Sequence, residues 1–289
     1  MDKDVVVNTL EEYIKLIFNI TDNNKNPLAL REYVFRGQSN KEYDLIPSIG
    51  RNRRFDCDIS ILDQERNMIE MAKNKLPNIF KNDMTPINLL ALLQHYGIPT
   101  RLLDVTTNPL VALYFATLNS DTDGEVLAIK DENENVVNYP IINAIADSYR
   151  FAQGTWTDLN KFYHTVLEQS YFDEQRYGYD KIDGADWIER LCKDIIIVNT
   201  QEYSERQRAQ QGLYILFPNK IDSIGERKCF VKLIEKIPKD DDYIISRMII
   251  PKESKKAMLQ KLGLLGISED TLFRDSIDIV CKNIVKFCQ

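Results

Sequence analysis

The 289-residue sequence contains few of the residues from which metal centres and disulfide frameworks are built. It has two histidines, His95 and His164, and five cysteines. The cysteines are odd in number, widely scattered and without a Cys-x-x-Cys pair, so neither a disulfide framework nor a zinc site is predicted. Two histidines are too few for a histidine-rich metal centre. We therefore interpret the cysteines as small core residues and expect no metal.

Long apolar runs are also missing. No stretch approaches the roughly 18 apolar residues that a membrane span requires, and the opening segment MDKDVVVNTLEEY lacks the apolar core of a signal peptide. We expect no membrane partner and a cytoplasmic location. The formal net charge of −7 argues against constitutive binding to nucleic acid, because such binding needs a surplus of Lys and Arg. The dense basic cluster RNRRF, over 51–55, is interpreted as a solvated loop.

Helix and strand patterns alternate along a chain that is 44% hydrophobic and 28% charged. Helices are predicted over 9–18 and 59–74, with the strand pattern REYVFRG between them. Two further helices, in NLLALLQHY and PLVALYFATL, are apolar on nearly every side and flank the short strand TRLLDVT. Their starts carry cap signals, Thr85-Pro86 and Asn108-Pro109. Both helices are predicted to be buried.

The late strand patterns IIIVN, LYILF, KCFVKLIEK and YIISRMII are too many and too closely spaced for a wound parallel sheet. We predict an α+β fold with a mainly antiparallel sheet and buried helices. Residues 131–190 are charged and aromatic, and are predicted to form a helical insertion or subdomain. This divides the chain into a core over 1–130, the insertion, and a continuation over 191–289 that ends in an amphipathic helix pattern.

The stretch VFRGQS places Arg36 at the end of an apolar strand. A charge in that position requires a partner, and two alternatives are open. Arg36 either binds an anionic ligand or forms an internal ion pair with Asp44 or Asp104. The neighbouring Gly37 lets the backbone turn or lets a ligand come close.

Three other places carry polar residues where a buried element ends. His95 closes the first buried helix, and is either a satisfied core histidine or a site residue. The hydroxyls of Thr106 and Thr107 gather with Asn108 where the second buried helix exposes free N–H groups, which is an anion-binding arrangement. The adjacent amides of QQG, over 210–212, precede a strand, and are an unusual choice for packing alone.

Four segments together resemble the FRG domain family, which is named for its Phe-Arg-Gly motif. They are FRGQ, LLALLQHYGIPTRLLDVTTNPLVALYFA, QRAQQGLYILFP and LGISEDTLFRD. The resemblance to the domain covers roughly residues 10–130, and the two later segments resemble its frequent C-terminal continuation.

A more distant resemblance links the chain to ADP-ribosyltransferases, whose first strand ends in aromatic-Arg-Gly. It implies a fold of that kind, with Arg36 holding NAD phosphate and Thr106-Thr107 supporting the nicotinamide ribose. The family's late acidic motif is altered, because RAQQGLYI has Gln210 and Gln211 where a glutamate is wanted and Glu205 is out of register. An amide can bind a ribose hydroxyl but cannot supply negative charge to an oxocarbenium-like transition state.

These resemblances imply two sets of site residues. The catalytic set is Arg36, His95, Gln211 and Glu205. The cofactor-binding set is Arg36, Gly37, Gln38, Arg101, Thr106, Thr107, Asn108 and Gln210.

Two function classes follow from these sets. As an enzyme, the protein would use NAD as substrate and transfer ADP-ribose to a protein or nucleic acid, or cleave the glycosidic bond, as a toxin or phage-defence effector. As a binding module, it would sense a nucleotide or another phosphorylated small molecule without turnover. A nuclease is disfavoured because the sequence lacks the clustered carboxylates of two-metal chemistry.

Overall fold

The computed structural model describes residues 4–22, 32–51, 60–131, 140–152, 154–172 and 184–273. The strands are β1 (Asp4–Val6), β2 (Tyr33–Gln38), β3 (Leu102–Thr106), β4 (Gly124–Lys130), β5 (Trp156–Asp158), β6 (Ile196–Val198), β7 (Gly212–Leu216), β8 (Ile221–Ile224), β9 (Arg227–Val231) and β10 (Ile244–Ile250). The helices are α1 (Leu10–Asp22), α2 (Glu65–Lys75), α3 (Pro86–His95), α4 (Pro109–Thr117), α5 (Pro140–Ala146), α6 (Ser148–Phe151), α7 (Leu159–Val166), α8 (Gly184–Lys193), α9 (Glu205–Ala209), α10 (Lys252–Leu264) and α11 (Glu269–Leu272).

Within the described residues, seven strands form one sheet in the order β1-β10-β4-β2-β3-β7-β6. Only the β1–β10 pair is parallel, and the other neighbours are antiparallel. A second sheet has the order β5-β9-β8. The predicted α+β class, with a mainly antiparallel sheet, is confirmed.

Alternation along the strands assigns side chains to the two faces of the large sheet. On β2, Phe35 is buried with apolar residues of α1, α4 and α10. The adjacent Val34 is buried in a different cluster, with Leu103 of β3 and Ile129 of β4. Helices therefore cover the face that Phe35 joins, and the sheet separates two apolar clusters.

Helix α4 lies directly against the strands because two glycines allow it. A Cβ atom built on Gly37 would lie 1.8 Å from the backbone oxygen of Ala112, and one built on Gly124 would lie 2.2 Å from that of Ala116. Both distances are impossible for a real Cβ atom. The close approach that Gly37 permits is therefore that of α4.

The predicted helix starts are found at α3 and α4, where Pro86 and Pro109 occupy the first turn. The Asn108 side chain caps α4 by accepting a bond from the Leu110 amide at 2.9 Å. Thr85 occupies the predicted N-cap position of α3, but its hydroxyl makes no cap bond and is buried without a partner among the described residues. The predicted helix over 59–74 is a 3-10 turn, Ile61–Gln64, followed by α2.

The predicted insertion contains α5 to α7 and part of α8. Their apolar side chains share one cluster with α2, α3, β6 and β7. The amphipathic pattern that ends the sequence lies outside the described residues, as do Cys57, Cys281 and Cys288. Cys229 is buried and Cys192 is half-buried. No helix in the described part of the chain is long and apolar enough to cross a membrane.

Candidate functional site

A cavity of about 420 Å³ opens where the ends of several elements of the large sheet meet. Its wall includes the second half of β2, the middle and end of β3, the start of β7, and α9. Side chains of α4 contribute from the helix-covered face, and His95 contributes from the end of α3. We call this the central cavity.

Arg36 lies in the wall of the central cavity with part of its hydrogen-bonding capacity unused. Its Nη1 donates to the backbone oxygen of Asp104 at 2.7 Å, whereas its Nε is shielded from solvent and has no partner in the described part of the chain. Burial lowers the pKa of the guanidinium, Arg51 acts in the same direction, and Asp104 opposes them. An arginine stays protonated nevertheless, so a cation that forms no ion pair among the described contacts lies in the cavity wall.

Two more arginines line the same cavity. Arg51 is exposed and close enough to Arg36 to repel it. Arg206, on α9, has its guanidinium 4.7 Å from the centroid of the Phe273 ring, a cation–π arrangement. Of the described residues in this wall, only Asp104 carries a carboxylate. The cavity thus concentrates positive charge in a chain whose net charge is −7.

Asp104 sits in the middle of β3 and is exposed to the cavity. In the antiparallel register it lies opposite Tyr214 of β7. The pKa of Tyr214 is raised, first by burial and then by Asp104, while Arg206 opposes the rise. The Asp104 side chain therefore lies beside Tyr214, and its backbone oxygen accepts the bond from Arg36.

The turn before β7 is tied to the end of β3. The Thr106 hydroxyl donates to the backbone oxygen of Gln210 at 2.6 Å and accepts from the Asn108 amide at 3.0 Å. The Gln210 amide group donates to the backbone oxygen of Leu272 at 3.1 Å, which joins α9 to α11. Thr106 and Gln210 line the cavity, but these bonds already occupy their side chains.

Gln211 lies outside the wall of the central cavity. It has a φ of 47°, in the left-handed region, and its side-chain oxygen accepts from the Thr107 hydroxyl at 3.3 Å. Gln211, Thr107 and Asn108 do not belong to the cavity wall, and neither does the exposed Glu205.

Arg101 also lies elsewhere. It is 1% exposed, and Glu65 binds its guanidinium at two nitrogens, with Nε to Oε1 at 2.8 Å and Nη2 to Oε2. Nη1 donates to Asn219 at 3.1 Å. These bonds make Arg101 part of an internal ion pair outside the central cavity.

The structure brings together six of the residues expected from sequence: Arg36, Gly37, Gln38, His95, Thr106 and Gln210. Gln38 is held by its own bonds, donating to Glu125 at 2.8 Å and to the backbone oxygen of Tyr43 at 3.0 Å. His95 is exposed, with its ring against Tyr96 at a centroid distance of 5.0 Å.

Part of the wall differs from the sequence-based expectations. The sequence predicts a solvated loop at Arg51 and gives Asp104 as a possible partner of Arg36, and no pattern in it singles out Arg206, Tyr43 or Leu118. The dense RNRRF cluster offered a sequence signal for Arg51. The others carry no local pattern that distinguishes them.

A model of the FRG domain matches residues 31–125. The matched segment runs from the residues before β2 to the start of β4, and includes Arg36 and Asp104. The chain therefore contains an FRG domain, as its motifs predict. No curated protein and no solved structure matches the chain.

Proposed function

We propose that the central cavity of this FRG-domain protein binds a nucleotide by its phosphate groups, and that NAD is its substrate. The observation that carries the proposal is that three arginines, Arg36, Arg51 and Arg206, line one cavity. Among the described residues of its wall, Asp104 is the one carboxylate. Guanidinium groups bind phosphate oxygens with charge-assisted hydrogen bonds. Among the described contacts, Arg36 donates to the backbone oxygen of Asp104 and forms no ion pair, so its positive charge is left for an anionic ligand.

The size of the cavity supports a ligand of this kind. Its volume of about 420 Å³ lies within the range of about 300–1,000 Å³ that small-molecule sites have. The wall adds apolar and aromatic side chains, among them Tyr43, Phe115 and Tyr214. Phosphate groups and a heterocyclic base would both find complementary surface.

Asp104 supports a reaction as well as binding. When the bond between nicotinamide and ribose breaks, the nicotinamide leaves with the electron pair of the bond and the ribose gains positive charge. A carboxylate beside the ribose stabilises that charge. Water or an acceptor nucleophile then forms the new bond at the same carbon and gives up a proton. We assign the carboxylate role to Asp104, in place of Gln211 or Glu205.

The products would be nicotinamide together with either free ADP-ribose or a modified acceptor. A protein or nucleic-acid acceptor and a role as a toxin or phage-defence effector are part of the proposal. The toxic or defensive effect would follow from loss of NAD or from modification of an essential macromolecule.

The second candidate is a nucleotide-sensing module without turnover. It is favoured by the positions of Glu205 and Gln211, since neither lines the cavity at the motif where ADP-ribosyltransferases place their glutamate. The three arginines would serve this function equally well.

Incubation of the purified protein with NAD tests the proposal. We expect nicotinamide release, detected by chromatography, and expect Asp104→Asn to abolish release while binding of ADP-ribose, measured by calorimetry, persists. Binding of NAD without release would favour the sensing module. Failure of the folded protein to bind NAD or ADP-ribose would overturn both.

A further inference from the structure

We infer that the central cavity contains a separate subsite for the planar heterocycle of its ligand, formed by Tyr43 and Leu118. The inference rests on the proposed function, because it places the phosphate groups of the same ligand against Arg36 and Arg51. The subsite would make the cavity bind phosphorylated ligands that carry a base more tightly than those that do not.

The first observation is unusual exposure. The side chains of Tyr43 and Leu118 both line the cavity, and they remain 52% and 50% exposed. Other apolar residues of the wall are less exposed: Val111 is fully buried, Leu213 is 5% exposed and Phe115 is half-buried. An aromatic ring and an aliphatic side chain held open at a polar cavity offer the surface against which a base stacks.

The second observation is that hydrogen bonds hold the backbone at or beside both residues. Lys255 is 1% exposed, and its Nζ donates to the backbone oxygens of Ser39 at 2.7 Å and Asn119 at 2.5 Å. This buried ammonium links the end of β2 to the end of α4. Leu118 directly precedes Asn119, so its backbone is held by the same link.

Tyr43 is held from the other side of the same strand end. Its backbone oxygen accepts from Gln38 at 3.0 Å, and its amide donates to Asn40 at 3.1 Å. Gln38 is in turn anchored on the buried Glu125. A backbone that is held before the ligand arrives reduces the conformational entropy lost on binding.

Charge supplies the third observation. Arg51 and Arg36 repel each other in the wall, and an anionic group between them would relieve the repulsion. The same wall carries Tyr43 and Leu118. A nucleoside phosphate, with its charge at one end and its base at the other, matches this combination, whereas inorganic phosphate or a sugar phosphate uses only the arginines.

The test compares AMP with ribose 5-phosphate, which has the same sugar and phosphate but no base. By calorimetry, wild-type protein is expected to bind AMP about tenfold or more tightly than ribose 5-phosphate, the size of a stacking contact. Tyr43→Ala and Leu118→Ala should each reduce that ratio toward one, whereas Tyr43→Phe should keep it. Matched controls are Phe18→Ala and Leu265→Ala, exposed apolar residues on other surfaces, which should leave the ratio unchanged.

Melting temperatures establish that each variant is folded, and Leu118→Ala provides a second probe if Tyr43→Ala does not fold. If wild type binds both ligands equally, or if the ratio survives both alanine variants, the base subsite is overturned while the phosphate site stands. If folded wild type binds neither ligand, the proposed function and the subsite both fail.

Discussion

Arg36 donates to the backbone oxygen of Asp104 at 2.7 Å, and its guanidinium forms no ion pair with the Asp104 carboxylate among the described contacts. Asp44, the other carboxylate considered as a partner, is paired with Lys236 at 2.9 Å instead. The bond from Arg36 therefore orients the guanidinium without neutralising it. A positive charge and a negative charge both remain directed at the central cavity.

The first prediction concerns Arg36 itself. Arg36→Ala should weaken binding of AMP by roughly 1.5–3 kcal/mol, the loss expected for hydrogen bonds to a charged group. The free energy of unfolding should change by less than about 1 kcal/mol, because Arg36 makes a single bond to a carbonyl. Calorimetry and urea denaturation measure the two quantities. Arg208→Ala is the control, since Arg208 is exposed and pairs with Glu202 outside the cavity. A variant of Arg36 that unfolds would assign the residue a structural role.

A second prediction separates Asp104 from the late glutamines. Asp104→Asn should lower the rate of nicotinamide release by at least about 100-fold, because an amide cannot stabilise the charge that develops on the ribose. Gln211→Glu should leave the rate unchanged, since Gln211 binds Thr107 outside the cavity wall. Acceleration by Gln211→Glu would contradict the assignment of Asp104, because it would place residue 211 at the position of the acid.

The third prediction tests the contact between α4 and β2. Gly37→Ala should destabilise the protein by about 3 kcal/mol or more, because the new methyl group would collide with the Ala112 backbone. Gly263→Ala in α10 is a matched control, since a Cβ there meets nothing within 4 Å. That change should stabilise the protein by about 0.5–1 kcal/mol, the helix propensity difference. Thermal and urea unfolding of the two variants provide the comparison.

The buried pair of Arg101 and Glu65 gives a fourth prediction. Glu65→Gln should cost about 3–5 kcal/mol of folding free energy, because the Arg101 charge would lose its compensation inside the protein. The double variant Arg101→Met with Glu65→Leu should recover much of that loss. Urea denaturation of the single and double variants measures their free energies of unfolding, which together form a double-mutant cycle. Loss of AMP binding in a fully folded Arg101→Met protein would show instead that Arg101 serves the ligand.

The fifth prediction concerns pH and Asp147. This residue is 1% exposed, and its pKa is raised to about 6, chiefly by burial, with Arg150 opposing the rise. The folded protein therefore holds this proton more tightly than the unfolded chain. The contribution of the protonated Asp147 carboxyl to the free energy of unfolding is fully present below the ordinary pKa of 3.8. It is lost as the pH rises through the folded-state pKa of about 6.

Asp147→Asn should remove that loss. Relative to wild type, the variant should gain up to about 3 kcal/mol in free energy of unfolding between pH 4 and pH 7, which is the free energy of a shift of about two pKa units. Urea denaturation at several pH values measures the difference. A difference that does not change with pH would show that Asp147 titrates normally in the folded protein.

The sequence by itself determined the elements that build the site. Local patterns predict strand β2 with its Phe-Arg-Gly motif, the buried helices α3 and α4 with their proline starts, and the antiparallel class. Such patterns are readable because periodicity and cap geometry depend on residues within a few positions of one another.

Only the tertiary structure decided which charges meet. Arg101 looked as suitable for a ligand as Arg36, and packing against α2 gave it Glu65 as an internal partner. Arg51, from the segment that follows β2, and Arg206, from a distant part of the chain, joined Arg36 instead. Of two adjacent glutamines, the turn before β7 directed Gln210 into the cavity wall and Gln211 out of it. The partner of a charge and the direction of a turn residue depend on how separate segments pack, and local sequence does not encode that.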